Sequence, residues 1–276
     1  WENTDPFLVI SMLIPLVATF GFITVYALVV IYAELKVSSF IQDKVGPMGQ
    51  GVGLHAGKWG LLQPIADALK LLSKEDIIPS SANKLLFILA PFMIFVGAFI
   101  SFIALPFNGS IIVSDLNIGI FYILGVGSLA VIALILAGWS SNNKWSLYGG
   151  MRSAAQIISY EIPAGLSLIV VIMLAGSLNM QEIIIYQQGG IFNWIIFDNP
   201  FMPIAFVVYF ISALAETNRT PFDLPESESE LVAGFVTEYS GMRYAFFFLS
   251  EYANMFVVSV VAVTGFLGGW QSPFSG

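Results

Sequence analysis

Six stretches of this chain, near residues 7–32, 85–106, 117–138, 155–176, 200–215 and 244–268, are apolar and long enough to cross ~30 Å of hydrocarbon at ~1.5 Å per residue. In oil every backbone amide and carbonyl has to be satisfied within the protein, so such runs form helices or the strands of a closed barrel. None of them alternates apolar and polar residues with period two, which excludes a barrel. The expected fold is therefore an all-α integral membrane protein with six recognisable transmembrane helices, read as one polytopic membrane domain over residues 1–276. The fifth run is the shortest and opens on Pro200 and Pro203, where a missing amide donor is tolerated. A composition of 57% hydrophobic and 10% charged residues places the chain outside the soluble range.

All ten basic residues (Lys36, Lys44, Lys58, Lys70, Lys74, Lys84, Lys144, Arg152, Arg219 and Arg243) fall in the first, third and fifth connections. Basic loops stay on the cytoplasmic or matrix face, which places the N-terminus and the 107–116 and 177–199 loops on the opposite, outer side. Glu2 and Asp5 open the chain without a basic n-region, so the first span is expected to be a retained helix, not a cleaved signal. The chain contains no Cys and a single His, His55, which argues against iron–sulfur, zinc–cysteine or haem chemistry. Net charge is −8, which leaves no basic surface for nucleic acid.

The first inner connection, 33–84, is too long for a turn. Gly46, Pro47, Gly49, Gly51, Gly53 and Gly57 mark a glycine-rich loop, but the spacing to Lys58 is wrong for a P-loop and Trp59 stands where Ser or Thr would hold magnesium. From 59 to 74, Leu61, Leu62, Ile65, Leu69 and Leu72 recur at helical spacing, with Asp67, Lys70 and Lys74 mostly off that stripe, the pattern of an amphipathic helix lying along the inner interface. It serves either as a membrane-surface anchor or as a docking floor for a soluble partner. The connections at 107–116 and 139–154 read as short and polar.

Two carboxylates fall inside apolar runs. Glu161 lies nine residues beyond Arg152, ~13 Å deeper along a continuous helix, and Glu251 lies eight residues past Arg243. An ionised carboxylate in the bilayer costs several kcal/mol, so each must face protein or water. Ser159, Tyr160 and Tyr252 supply neighbouring hydroxyls, and Pro163 removes a backbone donor, which would open the helix locally. Either each Glu satisfies a polar group on a neighbouring helix, or the two belong to a proton route. The fifth connection, 216–243, is acidic and proline-punctuated: Glu216, Asp223, Glu226, Glu228, Glu230 and Glu238 stand against Arg219 and Arg243. It reads either as a continuation of that route to the inner surface or, for Glu226, Glu228 and Glu230, as a solvated acidic face capping a helix that begins near Pro225. Glu34, at the inner end of the first span, and Asp67 read by default as partners in headgroup-level salt bridges.

Three ordered motifs are recognisable together: Leu62-Gln63-Pro64-Ile65-Ala66-Asp67-Ala68-Leu69-Lys70 in the first inner loop, Gly138-Trp139-Ser140-Ser141-Asn142-Asn143-Lys144 followed by Ser159-Tyr160-Glu161, and Ala215-Glu216-Thr217-Asn218-Arg219-Thr220-Pro221-Phe222-Asp223-Leu224-Pro225-Glu226 followed by Glu238-Tyr239-Ser240-Gly241-Met242 and Glu251-Tyr252. From about Glu34 to Trp270 the chain closely resembles the H-type subunits of proton-pumping NADH–quinone oxidoreductase, the respiratory complex I subunit 1 family. That resemblance implies a non-redox membrane subunit forming part of the quinone chamber, with quinone as a substrate shared with partner subunits and no cofactor bound by this chain alone. It implies a proton path through Glu161, Glu216, Asp223, Glu226, Glu228, Glu238 and Glu251. It places Glu34, Lys36, Asp67 and Arg219 at the chamber or the loops facing partners. Those partners would be the peripheral-arm quinone-site subunits and neighbouring small membrane subunits. Ser140-Ser141-Asn142-Asn143 and the overall acidity look bacterial, implying a plasma membrane in preference to a mitochondrial inner membrane.

Two departures from the family stand out. Glu34-Leu35-Lys36 replaces its usual Glu-Arg-Lys, so no such role passes to Leu35. The family also continues past Gly-Gly-Trp-Gln with further helices that this sequence lacks, as expected of a fragment or of unrecorded spans. Two other readings are kept open: the equivalent subunit of a membrane-bound hydrogenase or formate hydrogenlyase, and a stand-alone ion transporter. The absence of a visible inverted repeat weighs against the transporter.

Overall fold

A computed structural model describes residues 6–44, 46–47, 60–109, 111–225 and 228–274. Glu2, Asp5, His55, the glycine loop from Gly49 to Trp59 and Glu226 lie outside the described residues. Among the described residues the chain is helical, with no strand. Five helices are long and apolar enough to cross a membrane. These are α1 (Pro6–Ile41), α3 (Lys84–Ser101, extended by a 3-10 turn to Ala104), α4 (Gly119–Ser140), α5 (Lys144–Ala175) and α10 (Gly241–Phe266). The shorter α8 (Met202–Glu216) covers the fifth apolar run, and α2 (Gln63–Ser73) forms within the first inner connection. Three short helices, α6 (Met180–Tyr186), α7 (Ile195–Asp198) and α9 (Glu228–Leu231), sit in the remaining loops.

Several boundaries differ from the expected ones for identifiable reasons. The first helix continues to Ile41, well into the connection that sequence assigns to a loop. The window 139–154 is not a polar connection: α5 starts at Lys144 because the Asn143 side chain accepts from the Trp145 amide at 2.9 Å, capping it there. Asn142, with φ of 49°, takes the left-handed turn that ends α4, so two adjacent asparagines make the whole reversal. The helix also runs unbroken through Pro163 to Ala175, where Gly176 in a left-handed conformation closes it. Loss of one donor does not open a helix whose other bonds persist on both sides.

The chain forms two compact units, one from the residues up to Ile77 with Tyr239–Ala253 and the other from Ile78–Glu238 with Asn254–Gly276. In the first, α1 packs with α2. Arg243 pairs with Asp76 at 3.2 Å, and Ser240 Oγ accepts from the Ile77 amide at 3.3 Å and donates to the Glu75 carbonyl at 3.2 Å. The side chains of Leu61, Leu62, Ile65, Leu69 and Leu72 are all exposed.

In the second unit α3 packs on α4, α4 on α5, and α5 on α8. Its core holds Phe87, Phe102, Leu134, Leu168, Ile184, Met202 and Phe266, none more than 2% exposed. Large apolar side chains also point outward, with Leu85 at 75% and Met173 at 77% exposure, as expected of helices whose surroundings are lipid. Small residues set how closely the helices approach. A Cβ on Gly138 would meet the Ser146 carbonyl at 2.7 Å, and one on Gly150 the Leu134 carbonyl at 2.8 Å. A Cβ on Gly149 would lie 2.6 Å from the backbone of Gly234 and Phe235, in the 3-10 turn that precedes Glu238.

That last approach yields a direct test. Gly149→Leu overpacks the seam between α5 and the 234–236 turn and should destabilise the detergent-solubilised protein by about 1–3 kcal/mol in thermal unfolding. Gly125→Leu, at a helical position with open space around it, should leave the midpoint unchanged.

Candidate functional site

One face of α5 carries a polar and small-residue stripe formed by Gly149, Arg152, Ser153, Gln156 and Tyr160, at the three- and four-residue spacing that keeps side chains in line. The acidic segment after α8 lies along this stripe. Asn218 adopts φ of 50° and turns the chain back at the end of α8. Gln156 Nε2 donates to the carbonyls of Ala215 and Phe222, each at 2.8 Å, and reaches Asn218 Oδ1 at 3.1 Å. Asn218 Nδ2 in turn approaches Ser153 Oγ at 3.5 Å, and the Phe222 ring meets Tyr160 edge-on at 5.2 Å. Farther along, Arg152 pairs with Glu230 at 2.8 Å, and Asn143 Nδ2 donates to Glu238 Oε1 at 2.6 Å.

This docking carries Glu216, the last residue of α8, into a small cavity of about 30 Å³. Ser101, Gly127, Tyr209 and Asn254 line it with apolar residues of α4, α5 and α10. That volume is enough to admit a water. A Cβ on Gly127 would stand in ordinary contact with Glu216 Oε1, at 3.6 Å. Tyr209 is buried and donates to the Val258 carbonyl at 3.0 Å. Glu161 is partly buried on α5, the helix whose Ala164 and Leu168 line the same cavity. Among the described residues no Lys or Arg forms an ion pair with either of them.

The remaining expected site residues separate by place. Asp223 is exposed on the loop and Glu228 opens α9. Arg219 is partly buried, its amide bonded to the Leu214 carbonyl. In the first unit, Tyr252 Oη donates to Glu34 Oε2 at 2.7 Å, and Lys36 Nζ donates to the Pro47 carbonyl at 3.0 Å while lying over the Tyr32 ring. Asp67 accepts from Gln63 at 3.1 Å and pairs with Lys70 at 3.4 Å, both on its own helix. Glu251 is partly buried on α10. Among the described residues no cluster of three or more His, Asp or Glu is placed to hold a metal.

Gln156 is the residue that sequence reasoning missed. The available signal was its spacing, four residues after Arg152 and four before Tyr160, which puts an uncharged amide on the same face as both.

Residues 14–276 match a family model described as NADH dehydrogenase. The chain is 54% identical over 269 residues to the H subunit of NADH-quinone oxidoreductase from Chlorobaculum tepidum, an alignment covering 96% of this chain and 72% of that protein. It is 51% identical over 267 residues to the protein of the same name from Dehalococcoides mccartyi, covering 96% and 71%. With that of Anaeromyxobacter dehalogenans the identity is 48% over 280 residues, covering 100% of this chain and 66% of the relative.

Asn143 has two separable duties, capping α5 and holding Glu238. Asn143→Ala removes both and should cost about 1–2 kcal/mol in chemical denaturation. Asn143→Ser keeps a capping oxygen but lacks the reach to Glu238, and should recover roughly half of the loss.

Proposed function

Since the chain belongs to the NADH dehydrogenase family, we propose that it is the membrane subunit of a proton-pumping NADH–quinone oxidoreductase that forms part of the quinone chamber and couples quinone reduction to proton movement. In this reading it is a subunit of an enzyme complex and carries no electrons itself. Quinone is a substrate shared with the peripheral-arm subunits, and neighbouring small membrane subunits complete its surroundings. The five long spans with α8 as a sixth make the membrane domain, and α2 lies along the inner interface with its exposed leucines in lipid headgroups. The basic connections face the inner side of a bacterial plasma membrane, and the N-terminus lies outside.

The acidic path runs through Glu161 and Glu216 and continues in Asp223, Glu226, Glu228 and Glu238, with Glu251 on α10. Glu34, Lys36, Asp67 and Arg219 belong to the chamber rim and the loops that meet partners. The observation that carries this reading is that Glu216 lies in a cavity large enough for water, one wall of which is α5, the helix that bears Glu161. Two carboxylates that interact where water is scarce have coupled ionisations, so a proton gained or lost by one changes the free energy of charging the other. A change in charge at a nearby reduced quinone would enter the same coupling, and the proton occupancy of the pair would respond to the chemistry.

In the assembled complex, Glu216→Gln and Glu161→Gln each keep shape and remove the titrating proton. Each should lower proton-coupled NADH:quinone turnover about tenfold or more while the complex still assembles. Wild-type turnover and pumping in both variants would remove the acidic path from the proposal.

A further inference from the structure

We propose that Gln156 is a positioning residue for Glu216, its carboxamide fixing the end of α8 and the returning loop so that the Glu216 carboxylate stays in its cavity. The inference rests on the reading of Glu216 as a member of the acidic path, and adds a residue that carries no proton and touches no substrate.

The geometry is specific. Gln156 lies five residues before Glu161 on one helix, and its amide bonds the carbonyl of Ala215, the residue immediately before Glu216. The same amide bonds the Phe222 carbonyl on the returning arm of the loop, at an equal 2.8 Å. A side-chain amide has two hydrogens, and here its closest acceptors are the backbone carbonyls on either side of the Asn218 turn, with Asn218 Oδ1 farther off at 3.1 Å. A carbonyl at the end of a helix lacks a regular intrahelical donor, and one left poorly satisfied in a dry site is expensive. The Asn218 amide approaches the Ala215 carbonyl only to 3.3 Å, so Gln156 makes the closer bond. Without Gln156 the segment has reason to rotate until those carbonyls find another donor, and Glu216 rotates with Ala215. A displacement of ~1 Å at a reacting group is enough to cost one to two orders of magnitude in rate.

The test uses the complete complex in proteoliposomes. Gln156→Met preserves length and bulk and removes both donors. Turnover should fall about tenfold with the quinone KM unchanged within about twofold, because positioning acts on the step and not on substrate affinity. The carboxyl C=O band in the redox difference infrared spectrum, assigned to Glu216 by its loss in Glu216→Gln, should shift in frequency. Gln156→Glu keeps the shape and regains one O–H donor only when protonated, so its turnover relative to wild type should rise as pH falls. Ser128→Ala, which removes an exposed hydroxyl from α4, should match wild type in every measurement.

Wild-type turnover and an unmoved band in Gln156→Met, alongside depressed turnover in Glu216→Gln, would overturn this inference and leave the acidic path standing. Wild-type behaviour of Glu216→Gln would instead overturn the path itself. If Gln156→Met fails to assemble, Gln156→Glu decides by its pH profile. Failure of both to assemble would make Gln156 a folding residue and overturn the positioning role.

Discussion

The arrangement depends on how the backbone is satisfied where α8 ends. At fifteen residues α8 rises only ~22 Å, less than the ~30 Å of a hydrocarbon core, and the chain must reverse with carbonyls that no following turn of helix can bond. Thr217 bends back to bond Ala213, the amides of Asn218 and Arg219 return to Ala215 and Leu214, and Gln156 of α5 supplies what the segment cannot supply itself. Because one amide serves both sides of the turn, the loop is anchored to α5 at its start. It is anchored again at Arg152 by Glu230, at Gly149 by backbone contact with Gly234, and at Asn143 by Glu238. The described parts of the acidic segment therefore follow a helix surface, and Glu230 and Glu238 are held by α5 and its capping residue.

The acids fall into two chemical kinds. Glu230, Glu238, Asp67 and Asp76 each meet a basic or amide side chain within hydrogen-bonding distance or nearly so, and at the exposed pairs of Glu230 and Asp67 such contacts contribute little more than local order. Glu161 and Glu216 are different: each is partly buried, and among the described residues neither forms an ion pair with Lys or Arg. A group compensated by a neighbouring cation is indifferent to distant events, whereas a like-charged pair in a poorly screened site responds to any added charge. The chemical distinction lies in the partners, since the side chain is a carboxylate in every case.

Much of the fold was legible because lipid imposes so few solutions. Apolar runs had to be helices, and their order and approximate positions emerge from the sequence with the acidic segment correctly placed after the fifth. Helix ends were less legible. The window 139–154 is polar and contains Gly149 and Gly150, the marks of a loop in water. In a lipid-embedded bundle the same glycines mark close approach, to Gly234 and to the Leu134 carbonyl, and the segment is helical. Glu161 stood out because a charge in an apolar run is expensive whatever surrounds it. Gln156 did not, because a neutral amide inside a span costs little enough to pass as background, and its role appears only when the backbone of 215–222 is folded onto it.

That neutrality has a physical consequence. A Lys or Arg at position 156 could bond the same carbonyls, and would also place a positive charge within reach of the α8 terminus. It would alter the local field at Glu216, and a carboxylate engaged by a cation would no longer respond to a change of charge elsewhere. An apolar residue would leave the field intact but withdraw a donor from each of two carbonyls. A carboxamide alone among the common side chains of this length offers two donors with no charge, so it fixes the position of Glu216 without fixing its ionisation. The requirement at this point in the chain is therefore geometric order combined with electrostatic silence, and Gln156 meets both conditions.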